Sequence, residues 1–290
     1  MLVVTEADVA ELLTPAEARA AVEASFERIA RGAVDNPTRI RAELPGGVFA
    51  VMPCVDRELG YAGLKTYVWL PGGTPFLVVL FSIERAEIEA VVEADLLGQR
   101  RTAAASAIAA QRLARDGASA LGVIGCGRQA ASHVAALREV LPSLERVLVY
   151  CRDEQQLAAF CAEHGCEPAD ARTTAACDIV VTATTSREPV LHGEWLRPGA
   201  TVIAIGANDL ASRELDDAVL ERASLICTDS IEQARAEAGD LAGVSDLHEL
   251  HEVRGRANAD DIVVFKSNGL AAWDLAAAAA VVARARGERR

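Results

Sequence analysis

The stretch Ala120 to Ala130, A-L-G-V-I-G-C-G-R-Q-A, limits what this chain can fold into more than any other. A short apolar run breaks at Gly125 and Gly127 and opens into a helical pattern through His133, Ala136 and Leu137 to Val140, which reads as strand, tight turn and helix start. Gly125 suits a turn that a Cβ would crowd, Gly127 leaves bare backbone for a pyrophosphate, and Ala130 allows close packing of helix on sheet. The helix then aims its first N–H groups and its positive dipole end at the phosphates. Glycines also end strands for steric reasons alone, so context decides. Arg146 to Cys151, R-V-L-V-Y-C, supplies a second strand after one helix and completes a βαβ unit.

Beyond that unit the pattern repeats. Asp153 to His164 is a predicted helix ended by Gly165, Asp178 to Ala183, Ala200 to Ile205 and Ser224 to Thr228 are strands, and Ile262 to Phe265 is a last strand. Alternation of this kind predicts a doubly wound parallel sheet with ligand at the C-terminal strand edges. Thr182-Ala183-Thr184 and Gly206-Ala207-Asn208-Asp209 fall at two of those edges, where small and hydroxyl side chains let a flat cofactor ring lie on the backbone; both read equally as ordinary polar loops. Arg128 and Gln129, at the helix start, are also expected at the cofactor. Lys266-Ser267-Asn268-Gly269 turns the last strand into a final helix, Leu270 to Ala285, free to return to the first domain.

The N-terminal part is of another kind. Thr14-Pro15-Ala16-Glu17 is a capping box with proline at the first helical position, so a helix runs to about Ala30, and Gly32 ends it. From Thr38 to Ser82, short runs rich in Val, Phe and Tyr alternate with glycine turns and predict an antiparallel meander, the start of an α+β domain. Glu87 to Leu97 continues it as a mostly apolar segment, and Gly98 to Ala114 is a helix leading to the glycine turn. Arg39 on the first strand of the meander, Lys65 on the third and Arg101 at the start of that helix are cations that one pocket could gather around a carboxylate. Any one of them alone reads as well as a solvated surface charge. Lys65 is the exception, since it interrupts Tyr61-Ala62-Gly63-Leu64, and lysine is seldom buried without a partner.

At 290 residues the chain has room for two domains, and its net charge of −13 argues against nucleic acid or an anionic membrane as partner. No apolar stretch approaches the ~20 residues that cross a bilayer, and the N-terminus lacks a secretory pattern, so a cytoplasmic location is expected. The seven cysteines have no C-x-x-C pair and read as small buried hydrophobes of a reducing compartment, Cys126 and Cys151 included. No metal site is expected, because His248 and His251, the one pair at helical spacing, lack a third ligand nearby.

Seven motifs, in order, resemble one family, that of ornithine cyclodeaminase and mu-crystallin. They are R-I-R-A-E-L-P-G-G-V-F-A-V-M-P at Arg39 to Pro53, G-L-K-T at Gly63 to Thr66, R-T-A-A-A-S-A at Arg101 to Ala107, I-G-C-G-R-Q-A at Ile124 to Ala130, I-G-A-N-D at Ile205 to Asp209, R-E-L-D at Arg213 to Asp216 and F-K-S-N-G-L-A at Phe265 to Ala271. The resemblance implies an α/β protein: a Rossmann domain (115–269) and an α+β substrate and dimerisation domain built from both chain ends (1–114, with a C-terminal helix, 270–290), forming a homodimer. It implies that Arg39, Lys65 and Arg101 bind a substrate carboxylate, that the Gly125 turn holds the pyrophosphate, and that Ser267, Asn268 and Gly269 lie near the nicotinamide.

The family's activities share hydride exchange between a nicotinamide and the α-carbon of a small amino or imino acid. The resemblance therefore implies a ketimine reductase, for example of Δ1-pyrroline-2-carboxylate, or an amino-acid dehydrogenase. Two alternatives stand beside it, an ornithine cyclodeaminase and a dinucleotide-binding protein without activity. The cyclodeaminases carry an aspartate where this chain has Asn208, with Asp209 next in line, and asparagine cannot act as acid or base. For the cofactor, the end of the second strand reads Tyr150-Cys151-Arg152-Asp153. The position usually acidic for NAD is the neutral Cys151, and Arg152 suits a 2′-phosphate, so NADP(H) is favoured over NAD(H). The competing reading is that Asp153 or Glu154 reaches back to the ribose.

Overall fold

A computed structural model describes residues 1–287, so the last three residues of the expected 270–290 segment lie outside the described residues. The chain divides into two compact units, one of Met1–Ala105 with Gly269–Arg290 as far as it is described, the other of Ser106–Asn268. The division falls inside a helix rather than after it.

In the first unit, β1 (Leu2–Val4), α1 (Glu6–Leu12) and α2 (Pro15–Ala30) precede β2 (Val34–Asp35), β3 (Ile40–Leu44), β4 (Gly47–Asp56), β5 (Tyr61–Trp69), β6 (Phe76–Ser82) and β7 (Glu87–Glu93). The strands run in the order β1-β7-β6-β5-β4-β2, with β3 also on β4. The expected meander is β3 to β6, antiparallel throughout. Arg39 stands one residue before its first strand rather than on it, because pairing with β4 begins at Ile40↔Val51. β1 adds parallel to β7, a pairing across 87 intervening residues or so that short-range periodicity does not announce.

α3 (Asp95–Leu113) begins three residues before the expected Gly98. Its cap comes from far away: the Glu6 carboxylate accepts from the backbone N–H groups of Asp95 and Leu96 at 2.6 and 3.0 Å. α2 keeps its capping box, Thr14 with Glu17, and Pro15 at its first position.

The second unit continues with β8 (Ala120–Ile124), α4 (Arg128–Val140), β9 (Arg146–Tyr150), α5 (Glu154–His164), β10 (Glu167–Pro168), α6 (Ala171–Ala175), β11 (Ile179–Thr182), β12 (Thr201–Ala204), α7 (Asp217–Arg222), β13 (Ala223–Thr228), α8 (Ile231–Glu237), β14 (His248–Glu249) and β15 (Ile262–Lys266). Its sheet is parallel in the order β10-β9-β8-β11-β12-β15-β13-β14. From β8 the chain winds one way through β9 and β10, then returns to β11 on the other side, so the switch in strand order lies between β8 and β11. The central strands β11, β12 and β15 are buried along their whole length, as a sheet covered on both faces requires.

The last helix, α9 (Ala271–Ala285), belongs to the first unit. It is buried almost all round, and its run Ala276 to Ala279 lets it lie close on β4, β5 and β6. Trp273 packs against Phe26 of α2, ring centroids 5.1 Å apart. Gly63 on β5 is required by the neighbouring strand, since a Cβ there would lie 2.2 Å from the Val79 carbonyl oxygen of β6, while its 3.5 Å approach to Leu275 of α9 would be an ordinary contact. Among the described residues no helix is long and apolar enough to cross a membrane.

Candidate functional site

The first unit gathers the expected cations. Lys65 and Tyr67, two apart on β5, share the sheet face that carries Met52 and Val78 in register with Lys65. Lys65 and Arg101 are each only 5 % exposed, so neither is a solvated surface charge. Arg101 reaches in from the second turn of α3. Arg39 donates through Nη1 to the Tyr67 hydroxyl at 3.1 Å, with its guanidinium 5.9 Å from that ring's centroid. The Lys65 ammonium lies 5.6 Å from the Phe76 ring.

Sequence reasoning missed the anion among them. Asp274, fully buried in the first turn of α9, accepts from Arg101 Nε at 2.8 Å and from Lys65 Nζ at 3.4 Å through the same oxygen, Oδ1. Nothing near Asp274 in the chain signals this, since it sits in an alanine-rich helix 209 positions from Lys65. Burial, followed by the charge of Arg101, lowers the Lys65 ammonium to about 7; Asp274 opposes that shift and Arg39 adds to it. Lysine at such a value exchanges a proton near neutral pH. The two terminal nitrogens of Arg101 make no hydrogen bond among the described residues, which leaves its fork free for a carboxylate. Gly269, with φ +78°, is where the chain makes room for that guanidinium: a Cβ would lie 2.5 Å from Arg101 Nη1.

In the second unit the glycine turn sits at the switch point. Gly125 has φ +116°, and a Cβ on it would lie 2.4 Å from the Ala183 carbonyl oxygen, so β8 and β11 end in backbone contact. A Cβ on Gly127 would meet nothing within 4 Å. Gly127 is the N-cap of α4 and provides no side-chain cap, so the helix start is left for an anion, and Arg128 is exposed beside it. Gln129 is half buried, and its carbonyl accepts from His133 Nδ1 at 2.7 Å. That bond fixes the tautomer, so His133 Nε2 accepts from Ser106 at 2.8 Å, and burial pushes the imidazole down to about 4, keeping it neutral. Open space at Gly127 above an uncapped helix of 13 residues fits a dinucleotide's pyrophosphate.

The expected ring-side loops are tied by a second unforeseen carboxylate. Glu214, buried, accepts from Thr182 Oγ1 (2.9 Å), Thr184 N (2.7 Å), Thr184 Oγ1 (2.8 Å) and Gly206 N (2.7 Å), which joins the ends of β11 and β12. Glu214 is held in turn by Asp240, which accepts from its backbone N–H at 2.6 Å and pairs with the buried Lys266 at 3.3 Å. Asp229 fixes Ser267 and the Asn268 backbone at 2.9 and 2.8 Å. The R-E-L-D motif carried the only signal for Glu214. Asn208 and Asp209 are both exposed on the loop after β12; Asp209 spends its two oxygens on Ala211 N and Ser212 Oγ at 2.9 and 2.7 Å.

One sequence reading is corrected. Cys126 and Cys151 form a disulfide, with Cα atoms 5.8 Å apart, rather than packing as separate thiols. The two strands end level, at Ile124 paired with Tyr150, and Cys126, two residues past that pair, comes beside Cys151, one residue past it, although 25 positions separate them in the chain. His248 begins β14 beside Cys227 of β13, and His248 and His251 lie 3.4 and 3.5 Å from the carboxylates of Asp246 and Glu249. Arg152 is exposed after β9, and Asp153 caps α5, accepting from Gln155 N and Gln156 N at 2.9 Å each.

A doubly wound sheet with an anion cradle at its switch point, in one chain with an α+β unit holding a buried cation cluster, defines an α/β protein of the dinucleotide-binding type. The chain belongs to the ornithine cyclodeaminase/mu-crystallin family, whose model matches residues 1–289. It is 35 % identical to a Δ1-pyrroline-2-carboxylate/Δ1-piperideine-2-carboxylate reductase of Azospirillum brasilense, over 93 % of this chain and 92 % of that one. An archaeal alanine dehydrogenase dimer with bound NAD superposes with a TM-score of 0.92 at 33 % identity, covering 100 % of this chain and 98 % of that one. The Δ1-pyrroline-2-carboxylate reductase of Thermococcus litoralis, in complex with NADH and L-proline, gives 0.91 at 28 % identity and 99 % coverage of both.

Proposed function

We propose that this protein is an NAD(P)H-dependent oxidoreductase that reduces the C=N bond of a small imino acid, with a cyclic ketimine of the Δ1-pyrroline-2-carboxylate type as its substrate class. The observation that carries this reading is the buried set Lys65, Arg101 and Asp274, with the half-buried Arg39 beside it: within the buried set two cations face one anion, a surplus that one substrate carboxylate balances. Arg101 offers its open fork, and Arg39 adds a second guanidinium. The nicotinamide supplies the hydride when bound. Lys65, near neutral in its proton affinity, gives or polarises the proton that the substrate nitrogen gains. Gly125, Gly127, Arg128 and Gln129 serve the pyrophosphate, Thr182, Ala183 and Thr184 with Ser267 and Asn268 the nicotinamide end, and Gly269 acts through Arg101.

The cyclodeaminase alternative loses support at Asn208, which has no acid function, and at Asp209, whose oxygens are occupied in its own turn. NADPH is the favoured cofactor. Asp153 is engaged as a helix cap and Cys151 carries no charge, which leaves Arg152 to meet a 2′-phosphate. The functional form is a homodimer through the outer face of the meander, where Phe49, Leu77 and Phe81 are more than a third exposed and a cleft of about 260 Å³ opens between Pro53, Ala62, Leu64 and Phe81. Purified protein offered a cyclic ketimine with NADPH, then ornithine with catalytic NAD, tests the reading through loss of reduced-nicotinamide absorbance and release of ammonia.

A further inference from the structure

Among the described residues Asp274 is the one carboxylate bonded to the cation cluster, and it is fully buried. Its Oδ1 takes both Arg101 Nε and Lys65 Nζ, while Oδ2 has no hydrogen-bond partner among the described residues. A buried carboxylate half satisfied in this way is costly unless its charge is used. Its two contacts differ in kind. Arg101 is gripped by Nε at 2.8 Å, the side of the guanidinium away from the fork, so the grip orients the fork without occupying it. Lys65 is held loosely at 3.4 Å, a distance at which the charge matters more than the bond.

We propose that Asp274 is a positioning residue of the reduction, which aims the Arg101 fork at the substrate carboxylate and keeps the Lys65 ammonium charged until the substrate arrives. This rests on the reductase reading above. The groups facing Lys65 are Arg101 from α3, Asp274 from α9 and Arg39 ahead of β3, with the uncharged Phe76 ring on β6. Cys54, nearby on β4, stays a neutral thiol because burial pushes it up to about 12. Of these groups only Asp274 favours the ammonium. Remove its charge and Arg101 and Arg39 remain to repel the proton, so Lys65 deprotonates at a lower pH than in the wild type.

The test is the pH profile of kcat/KM for ketimine reduction in Asp274→Asn and Asp274→Glu, compared with wild type on the same substrate so that the substrate's own titration cancels. The wild-type profile falls as pH rises through the neutral range. In Asp274→Asn the fall moves to lower pH by about one unit or more, which is an additional loss of about tenfold at the alkaline end relative to the acid end. Asp274→Glu keeps the wild-type position of the fall with a lower plateau, and NADPH affinity is unchanged in both. An equal loss at every pH in Asp274→Asn, or no loss, overturns the proposal. If the asparagine variant does not fold because its amide NH2 is left buried without an acceptor, Asp274→Ser, an uncharged and smaller side chain, carries the same expectation. A wild type that reduces no ketimine refutes the reductase reading; a reducing wild type with an unmoved profile in the variant refutes only the role of Asp274.

Discussion

Replacing Gly269 by alanine separates two roles for the turn before α9. The residue has φ +78°, where a Cβ costs about 1–2 kcal/mol. The added methyl also arrives 2.5 Å from Arg101 Nη1 and 3.1 Å from Nη2, so the guanidinium must move, and Asp274 resists by holding Nε at 2.8 Å. Turning the fork away from a substrate carboxylate forfeits a charged hydrogen bond worth about 1.5–3 kcal/mol. At about 1.4 kcal/mol per factor of ten, kcat/KM falls roughly ten- to hundredfold. The backbone cost appears separately, as a Tm lowered by about 2–8 °C. Steady-state kinetics with a fluorescence titration of NADPH separates substrate handling from cofactor binding, and a thermal melt reads the Tm. The expected variant binds NADPH as the wild type does and handles the imino acid poorly. Weakened NADPH binding with intact substrate kinetics would assign Gly269 to the nicotinamide and refute the reasoning from Arg101.

Lys65→Ala and Arg101→Ala should each lower kcat/KM by roughly ten- to hundredfold, more for Lys65 if it moves the proton, with cofactor affinity retained; wild-type kinetics in either would remove the cluster from the mechanism. Because burial and Arg101 lower Lys65 to about 7, its ammonium is present below that pH and lost above it, so wild-type kcat/KM for reduction declines through neutrality, and a profile flat from acid to alkaline pH would contradict this. Arg152→Ala should weaken NADPH by about 1.5–3 kcal/mol and spare NADH, whereas equal loss of both cofactors argues that Arg152 only faces water. Thiol titration of the unfolded chain should find five reactive cysteines before reduction and seven after it, since Cys126 and Cys151 are joined; seven at the outset would contradict the bridge.

What the sequence made legible was local. The turn at Gly125 announces itself in a few residues, because strand, glycines and helix start are consecutive, and the capping box at Thr14 does the same for α2. Lys65 stood out because a charge interrupts an apolar run. What escaped was non-local. Asp274 meets Lys65 across 209 positions, and Glu6 caps α3 across 89. The Cys126–Cys151 bridge depends on the register of two strands, and Glu214 acts through four donors on two loops that chain order keeps apart. Residue type suggested the cations of the pocket; the anions that hold them in place became visible only when the chain was folded.

The central claim is tested most directly by supplying the wild-type protein with NADPH and Δ1-pyrroline-2-carboxylate and measuring reduced cofactor consumed against proline formed. The account predicts one proline for each NADPH oxidised. It is contradicted if cyclic ketimines leave NADPH untouched while ornithine, with catalytic NAD, releases ammonia.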